Sequence, residues 1–534
     1  MISNRELFFV ILFSLAVVCV SSIPFYYAAQ TAPHDAVFMG DVGGHFDFNP
    51  YLAWMEQGRL GHFLFKDKYT GEPNPRTLFH PLFLLLGTVS GITGLSLRFI
   101  AEGAREISGF FLLISLYLFI SLFFREIRLR ILTFLLLCFS SGFGWLLFVF
   151  PRIADIAGSW VMLGTVDINT FNIVLIPVVH SFSCLLLTLG FYFFLKGLDS
   201  ARRQFFILSG LVLALLVFTH PFDFQIFFSV IFLFFLADWF FNKMPLPVLL
   251  LPLLVTLPFL AFQFCASLAN TVFKEHAFGV IATGSSNFIF YVWGLGFLSL
   301  LTLLGIAELL SNTFDRLTKQ RYLFITLWII AVPVLLYLPT TFQGRAAAGI
   351  QLPACILSVY GIERIIGRFK LNTTIVWAAI FLMTLPANPM LFMHNMSNLE
   401  RAKGFEYKIA PFLDRGIYEA VIWLSKNTSE DDVIFCDWNI GNYIPSVPGN
   451  TVFVGHGLQT IDFDKKQKMV ERFFSENASD TERRAILVFS NSDFVFYSFK
   501  EKQFGGFDPD KAKYLKMVYN NQGVKIYEII KPLL

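Results

Sequence analysis

Between positions 7 and 393 the chain runs through eleven apolar stretches of near membrane-spanning length, the feature that most narrows its folding options. Hydrocarbon offers no water to a backbone N–H or C=O, so such a stretch crosses as a helix, and about 20 residues match a core of ~30 Å. The stretches are 7–29, 107–124, 131–150, 171–195, 205–219, 224–241, 245–264, 288–310, 322–339, 346–366 and 373–393. The expected fold is therefore an α-helical polytopic membrane protein with about 11 spans. Charge marks where that pattern stops. Residues 1–399 carry 42 charged side chains in 399 positions, whereas 400–534 carry 37 in 135, an ordinary soluble density. The expected organisation is a membrane domain over 1–399, with a long first extracytoplasmic loop at 30–106, and a small soluble α/β domain over 400–534.

Loop charge sets the orientation. A twelfth apolar stretch, 79–97, is ambiguous by hydropathy alone. If it does not cross and the N-terminus is cytoplasmic, fourteen basic residues fall inside, among them Arg5, Arg128, Arg203, Arg321 and Arg368. The outer connections after the first loop then hold three: Arg152, Lys274 and Arg345. That is a positive-inside pattern. The stretch 79–97 is read as a juxtamembrane or re-entrant piece, and the first loop and the C-terminal domain as extracytoplasmic. The localisation expected is the bacterial inner (cell) membrane.

Other classes drop out. No basic run suited to nucleic acid occurs, and the six cysteines show no CxxC spacing, so neither a zinc site nor a disulfide framework is implied. The apolar stretch after Arg5 lacks an early small-residue cleavage site and reads as a retained helix. In the terminal domain, helices are expected at Gly416–Lys426, Phe463–Ser475 and Asp480–Phe489. Strands are expected at Val433–Cys436, Thr451–Val454 and Asp493–Ser498, with a hairpin from Leu515–Tyr519 to Val524–Ile530. No glycine-rich phosphate loop opens any of these helices, so nucleotide binding is not supported.

The polar residues that break the apolar pattern are the candidates for chemistry. The first loop reads Met39-Gly-Asp-Val-Gly-Gly-His-Phe-Asp-Phe-Asn-Pro-Tyr-Leu-Ala-Trp-Met55. Asp41 and Asp47, with His45 between them, can hold a divalent cation, or Asp47 can serve as a base; alternatively Asp47 caps a helix starting near Asn49–Pro50. The turn Thr219-His-Pro-Phe-Asp223 sets His220 and Asp223 at the outer end of a span, either to meet a phosphate or metal or simply to close a proline turn. His180 lies inside an apolar stretch, as an interhelical hydrogen-bonder or a donor contact. Arg345, in Thr341-Phe-Gln-Gly-Arg-Ala-Ala-Ala-Gly349, stands against the charge trend at an outer mouth. A guanidinium fork there suits a phosphate; the alternative is a snorkelling interfacial arginine.

The spacing Asp47-x-x-x-Tyr51-x-x-x-Met55 just after the first membrane helix resembles the C-type (GT-C) superfamily of membrane glycosyltransferases. Tyr69-Thr-Gly-Glu-Pro73 and Leu78-Phe-His-Pro-Leu-Phe-Leu-Leu-Leu-Gly87 resemble its bacterial members, and Val454-Gly-His-Gly457 and Glu471-Arg-Phe-Phe474 do so more loosely. The resemblance implies that the first loop carries the catalytic aspartate, here Asp47. It also implies that an arginine before a late helix, here Arg345, holds the lipid phosphate. Asp155 and Asp167 match only the position of a second acidic residue in some members.

The reading that results is an inverting glycosyltransferase moving a sugar from a polyprenyl-phosphate donor to a glycan, lipid or protein acceptor. Asp47 is the expected base and Arg345 with His220 the phosphate site, supported by Asp41, His45, Asp223 and His180. A divalent metal is possible but not required. The alternatives are a flippase or transporter of a lipid-linked saccharide, disfavoured by the missing repeat of broken helices, and an O-antigen-type polymerase or ligase, whose large loop usually lies late.

Overall fold

The computed structural model describes residues 2–42, 45–150, 152, 168–242, 246–278, 284–339, 343–405, 409–447 and 449–533. The chain divides into two compact units. The first comprises Met1–Pro24, Gly103–Gln263 and Ala282–Ser397; the second comprises Phe25–Glu102, Phe264–Ile281 and Asn398–Leu534.

Among the described residues, eight helices are long and apolar enough to cross a membrane: Asn4–Gln30, Leu97–Ile120, Val178–Ser200, Pro221–Phe240, Val248–Leu268, Arg316–Tyr337, Gln343–Phe369 and Thr373–Lys403. A ninth qualifies as a pair, Phe288–Leu295 and Phe297–Leu310, bent by 88° at Gly296. The remaining two expected spans are shorter helices. Segment 131–150 is cut after Phe139, where Ser140, Ser141 and Gly142 leave the helix, so Ile127–Phe139 has 13 residues. Segment 205–219 gives the 17-residue helix Arg203–Thr219, which stops at His220 because Pro221 cannot continue it. The expected count of about eleven thus becomes eight or nine by length and composition.

Within the first unit, close packing comes from small residues and phenylalanine. The helices Phe297–Leu310 and Gln351–Phe369 cross at Gly305, whose absent Cβ leaves room for the Leu357 carbonyl. The Thr302 hydroxyl donates to the Ala354 carbonyl at the same crossing, 3.3 Å away. Without a hydrophobic drive between helices in lipid, such close approach and interhelical hydrogen bonds supply the association energy. Phe191, Phe194, Phe234, Phe324 and Trp328 interlock edge to face and by stacking, with Phe191 and Trp328 centroids 4.6 Å apart. Much of the phenylalanine excess is therefore packing mass.

The second unit is built on a five-stranded mixed sheet. Strands β1 (Ala36–Phe38) and β2 (Phe412–Asp414) form a separate antiparallel ribbon. The main sheet has order β4 (Thr451–Val452), β3 (Val433–Phe435), β5 (Phe494–Tyr497), β7 (Lys525–Ile529), β6 (Leu515–Asn520). Strand β3 runs parallel to β4 and β5, while β7 runs antiparallel to β5 and β6. Side chains alternate across the strands. Ile434, Phe496 and Ile526 join one core with Ile417, Val421 and Leu424 of helix Arg415–Asn427. Phe435, Val495 and Tyr527 join another with Phe473, Phe474, Ile486 and Leu487 of helices Phe463–Phe474 and Asp480–Ser490. The result is the expected α/β sandwich.

The first loop belongs to this unit. Met39, Ala53 and Tyr69 sit in the core with Ile417 and Ile434, and β1 pairs with β2. Glu430 gathers His62 at 2.7 Å, Arg76 at 3.1 Å and the buried Lys68 at 3.4 Å, fastening the loop to the C-terminal region. Burial holds the Lys68 ammonium down at about 8, against partial compensation from Glu430 and Asp431. The stretch 79–97 contributes the 13-residue helix Pro81–Thr93, ~20 Å long and short of a membrane crossing. It packs on helix His45–Arg59, with Phe83 stacked 5.4 Å from Tyr51.

Candidate active site

Helix His45–Arg59 starts two residues before Asp47, so Asp47 occupies its first turn instead of capping a later helix at Asn49. A carboxylate is favoured there by the helix dipole. Its side chain is 59% exposed, whereas the His456 side chain beside it is 6% exposed. His456 Nε2 lies 3.2 Å from Asp47 Oδ1, and the Leu458 N–H donates to His456 Nδ1 at 3.3 Å. A ring nitrogen that accepts a backbone N–H carries no proton, which leaves the proton of neutral imidazole on Nε2, directed at the carboxylate.

Several contacts fix that imidazole. The Tyr69 ring meets it edge-on at a centroid distance of 5.8 Å. The N–H groups of Gly455 and His456 donate to Thr460 Oγ1 at 3.1 and 3.2 Å, and the Thr460 hydroxyl donates to the Tyr69 carbonyl at 2.6 Å. Beside Asp47 on the same helix, the Asn49 amide donates to Asn442 Oδ1 at 2.6 Å. Tyr51 and Met55, the other members of the spacing noted in the sequence, serve packing: Met55 is buried, and its carbonyl fills the space a Cβ on Gly87 would need.

Asp41 is half-buried, and its charge, after burial itself, helps hold the Tyr443 phenol above its ordinary range. His45 opens the helix; its side chain lies outside the described residues. Among the described residues, no group of three or more His, Cys, Asp or Glu side chains is placed to hold a metal ion.

The first unit carries a second polar cluster. His220 and Asp223 flank the turn Pro221–Asp223, with His220 Nδ1 2.9 Å from Asp223 Oδ2. The approach is off the direction of a good hydrogen bond, so the contact is one of proximity. Asp223 is fully buried. The His180 and His220 rings lie 5.8 Å apart, and Arg345 acts on His180 electrostatically. The turn Pro221–Asp223 packs on Gln343–Ala347, the short helix that carries Arg345. Four residues singled out one by one in the sequence, at 180, 220, 223 and 345, thus collect in one place.

Nearby in the chain, Gln351 organises buried backbone. Its Oε1 accepts from the Thr170 N–H and hydroxyl, both at 2.7 Å, and its amide donates to the Ser140 carbonyl at 2.8 Å. Asp155 and Asp167 lie outside the described residues. His456 was not among the candidate residues, although Val454-Gly-His-Gly457 stood out in the sequence. A histidine between two glycines gave a signal; its partner 409 positions away gave none.

No family model and no curated protein sequence matches the chain. Solved structures match its fold over nearly its whole length. The apo form of the Archaeoglobus fulgidus oligosaccharyltransferase aligns at TM-score 0.55 and 13% identity, over 98% of this chain and 74% of that one. The Archaeoglobus fulgidus oligosaccharyltransferase AglB, in complex with an inhibitory peptide and a dolichol-phosphate, gives 0.55 and 14%, over 99% and 75%. ArnT from Cupriavidus metallidurans, bound to undecaprenyl phosphate, gives 0.52 and 11%, over 98% of both chains. At such identities the likeness is one of fold alone, shared with the oligosaccharyltransferase and with ArnT.

Proposed function

We propose that this protein is an inverting glycosyltransferase that moves a sugar from a polyprenyl-phosphate donor to an acceptor hydroxyl on the extracytoplasmic face of a bacterial inner membrane. The N-terminus is then cytoplasmic. The observation that carries the reading is Asp47, an exposed carboxylate at a helix start with one oxygen held by a buried imidazole. A carboxylate exposed on one side and held on the other is placed for proton transfer.

In the reaction proposed, the acceptor oxygen bonds to the anomeric carbon while the bond from that carbon to the donor phosphate oxygen breaks. The acceptor proton passes to Asp47. The departing phosphate needs charge stabilisation more than it needs an acid. Arg345 supplies a fork of N–H donors and His220 a further polar contact, with Asp223 and His180 beside His220. Two of the solved neighbours carry dolichol-phosphate and undecaprenyl phosphate, which supports a donor of that class. The acceptor is a glycan, a lipid or a protein.

A glycan and lipid profile of cells lacking the protein tests this reading. Loss of one sugar from a surface glycoconjugate, restored by the wild-type gene, is the expected result. Accumulation of a complete precursor on the cytoplasmic side would identify a flippase instead.

A further inference from the structure

We propose that His456 is the positioning residue for Asp47: it keeps its own proton, donates it as a hydrogen bond to Oδ1, and so fixes the orientation and the anionic state of the base. The inference rests on the reading of Asp47 as the base that accepts the acceptor proton.

The bonding of the ring carries the argument. His456 Nδ1 is occupied by the Leu458 N–H, and Nε2 by Asp47. With both nitrogens committed, the imidazole has no lone pair to offer a substrate, which separates its role from that of a base. The Tyr69 ring meets the imidazole edge-on, Thr460 Oγ1 accepts from the His456 backbone N–H, and the chain before it passes where only glycine fits. Gly441 and Gly455 lie backbone to backbone there, and a Cβ on either would meet the other strand of the contact.

An exposed aspartate in a first helical turn has more than one side-chain rotamer open to it. A donor fixed in the protein interior selects one orientation and lowers the energy of the charged form over the protonated one. This fixes the carboxylate before the acceptor arrives, the condition for efficient proton transfer. The elements around the pair also carry Tyr51, Glu56 and Arg59 on helix His45–Arg59, Asp437 and Tyr443 beside Gly441, Asp462 after Thr460, and Tyr69, with Asp67 and Lys466 near Thr70. All are common to every variant below, so a difference between variants reports the His456–Asp47 bond.

The test uses purified full-length protein in lipid nanodiscs and, as probe, the lipid-linked saccharide pool extracted from cells lacking the protein. Initial rates are followed by mass spectrometry from pH 5 to 9. His456→Leu is expected to lower kcat roughly a hundredfold with KM for the pool little changed, and to move the acid limb of the profile to higher pH. His456→Gln, whose amide nitrogen falls near the position of Nε2, recovers most of the rate and the wild-type limb. If His456→Leu does not fold, His456→Asn replaces it; its amide falls short of Asp47, so it should lose what Gln retains. Equal rates for Gln and Leu (or Gln and Asn) with an unmoved acid limb mean a structural histidine and overturn the inference. So does a wild-type rate in His456→Leu alongside an inactive Asp47→Asn. A wild-type rate in Asp47→Asn overturns the underlying base assignment instead, a separate outcome.

Discussion

Gly441 packs its backbone directly against the carbonyl oxygen of Val454, leaving no space for a Cβ. That contact holds the segment 454–456 in place, and with it the imidazole that meets Asp47. Gly441→Ala should therefore destabilise the second unit by about 1–3 kcal/mol through overpacking, and lower activity further by displacing His456. Gly523→Ala, where a Cβ meets nothing, is the control. Thermal unfolding with a parallel activity assay decides it; equal behaviour of the two variants would remove the steric argument.

How much of this was legible beforehand follows from the range of each interaction. The long apolar helices and the elements of the terminal sandwich rest on local periodicity, and helix Arg415–Asn427 and hairpin β6–β7 formed where the alternation predicted. Breaks inside apolar stretches were not legible. Gly142 and Gly296 interrupt helices because each lies against the other's segment, a tertiary fact. The first loop was legible as a loop, but its place in a shared core with Ile417 and Ile434 depends on pairings such as Val37 with Leu413. For the site, His180, His220 and Arg345 each stood out as a costly polar residue. Their assembly, and the match of Asp47 with His456, required the fold.

Burial raises the Asp67 carboxyl to about 7; Oδ1 accepts the Tyr69 N–H at 2.6 Å, and Oδ2 has no hydrogen-bond partner among the described residues. In the unfolded chain an aspartate titrates near ~3.9, so the folded state holds a proton that the unfolded state has already lost. The stability associated with this group is complete below about 4 and is lost as pH rises through about 7. Asp67→Asn keeps the acceptor and cannot ionise. Its gain in unfolding free energy over wild type, followed by thermal and denaturant unfolding, should grow from pH 5 to pH 7 and level off above, reaching about 2–4 kcal/mol. A gain independent of pH would contradict this.

Arg345→Lys keeps the charge and loses the planar fork. Binding of undecaprenyl phosphate to the purified protein should weaken roughly tenfold or more, with unchanged melting. Arg316→Lys, at the exposed start of helix Arg316–Tyr337, should bind as wild type. Equal affinities for both variants would place the phosphate elsewhere.

The orientation is tested by single cysteines labelled in intact cells with an impermeant thiol reagent. Lys502→Cys, exposed in the second unit, should label from outside. Lys319→Cys, exposed before helix span Arg316–Tyr337 ends its first turn, should label only after permeabilisation. The reverse pattern would invert the topology.

The central claim, that Asp47 accepts the acceptor proton, is tested most directly by Asp47→Asn. The amide keeps the shape of the side chain and can still accept the hydrogen bond from His456, but it cannot take the proton. Sugar transfer from the extracted lipid-linked pool should fall by roughly two to four orders of magnitude while binding of undecaprenyl phosphate persists. Wild-type transfer by Asp47→Asn, in protein of unchanged yield and melting behaviour, would contradict the account.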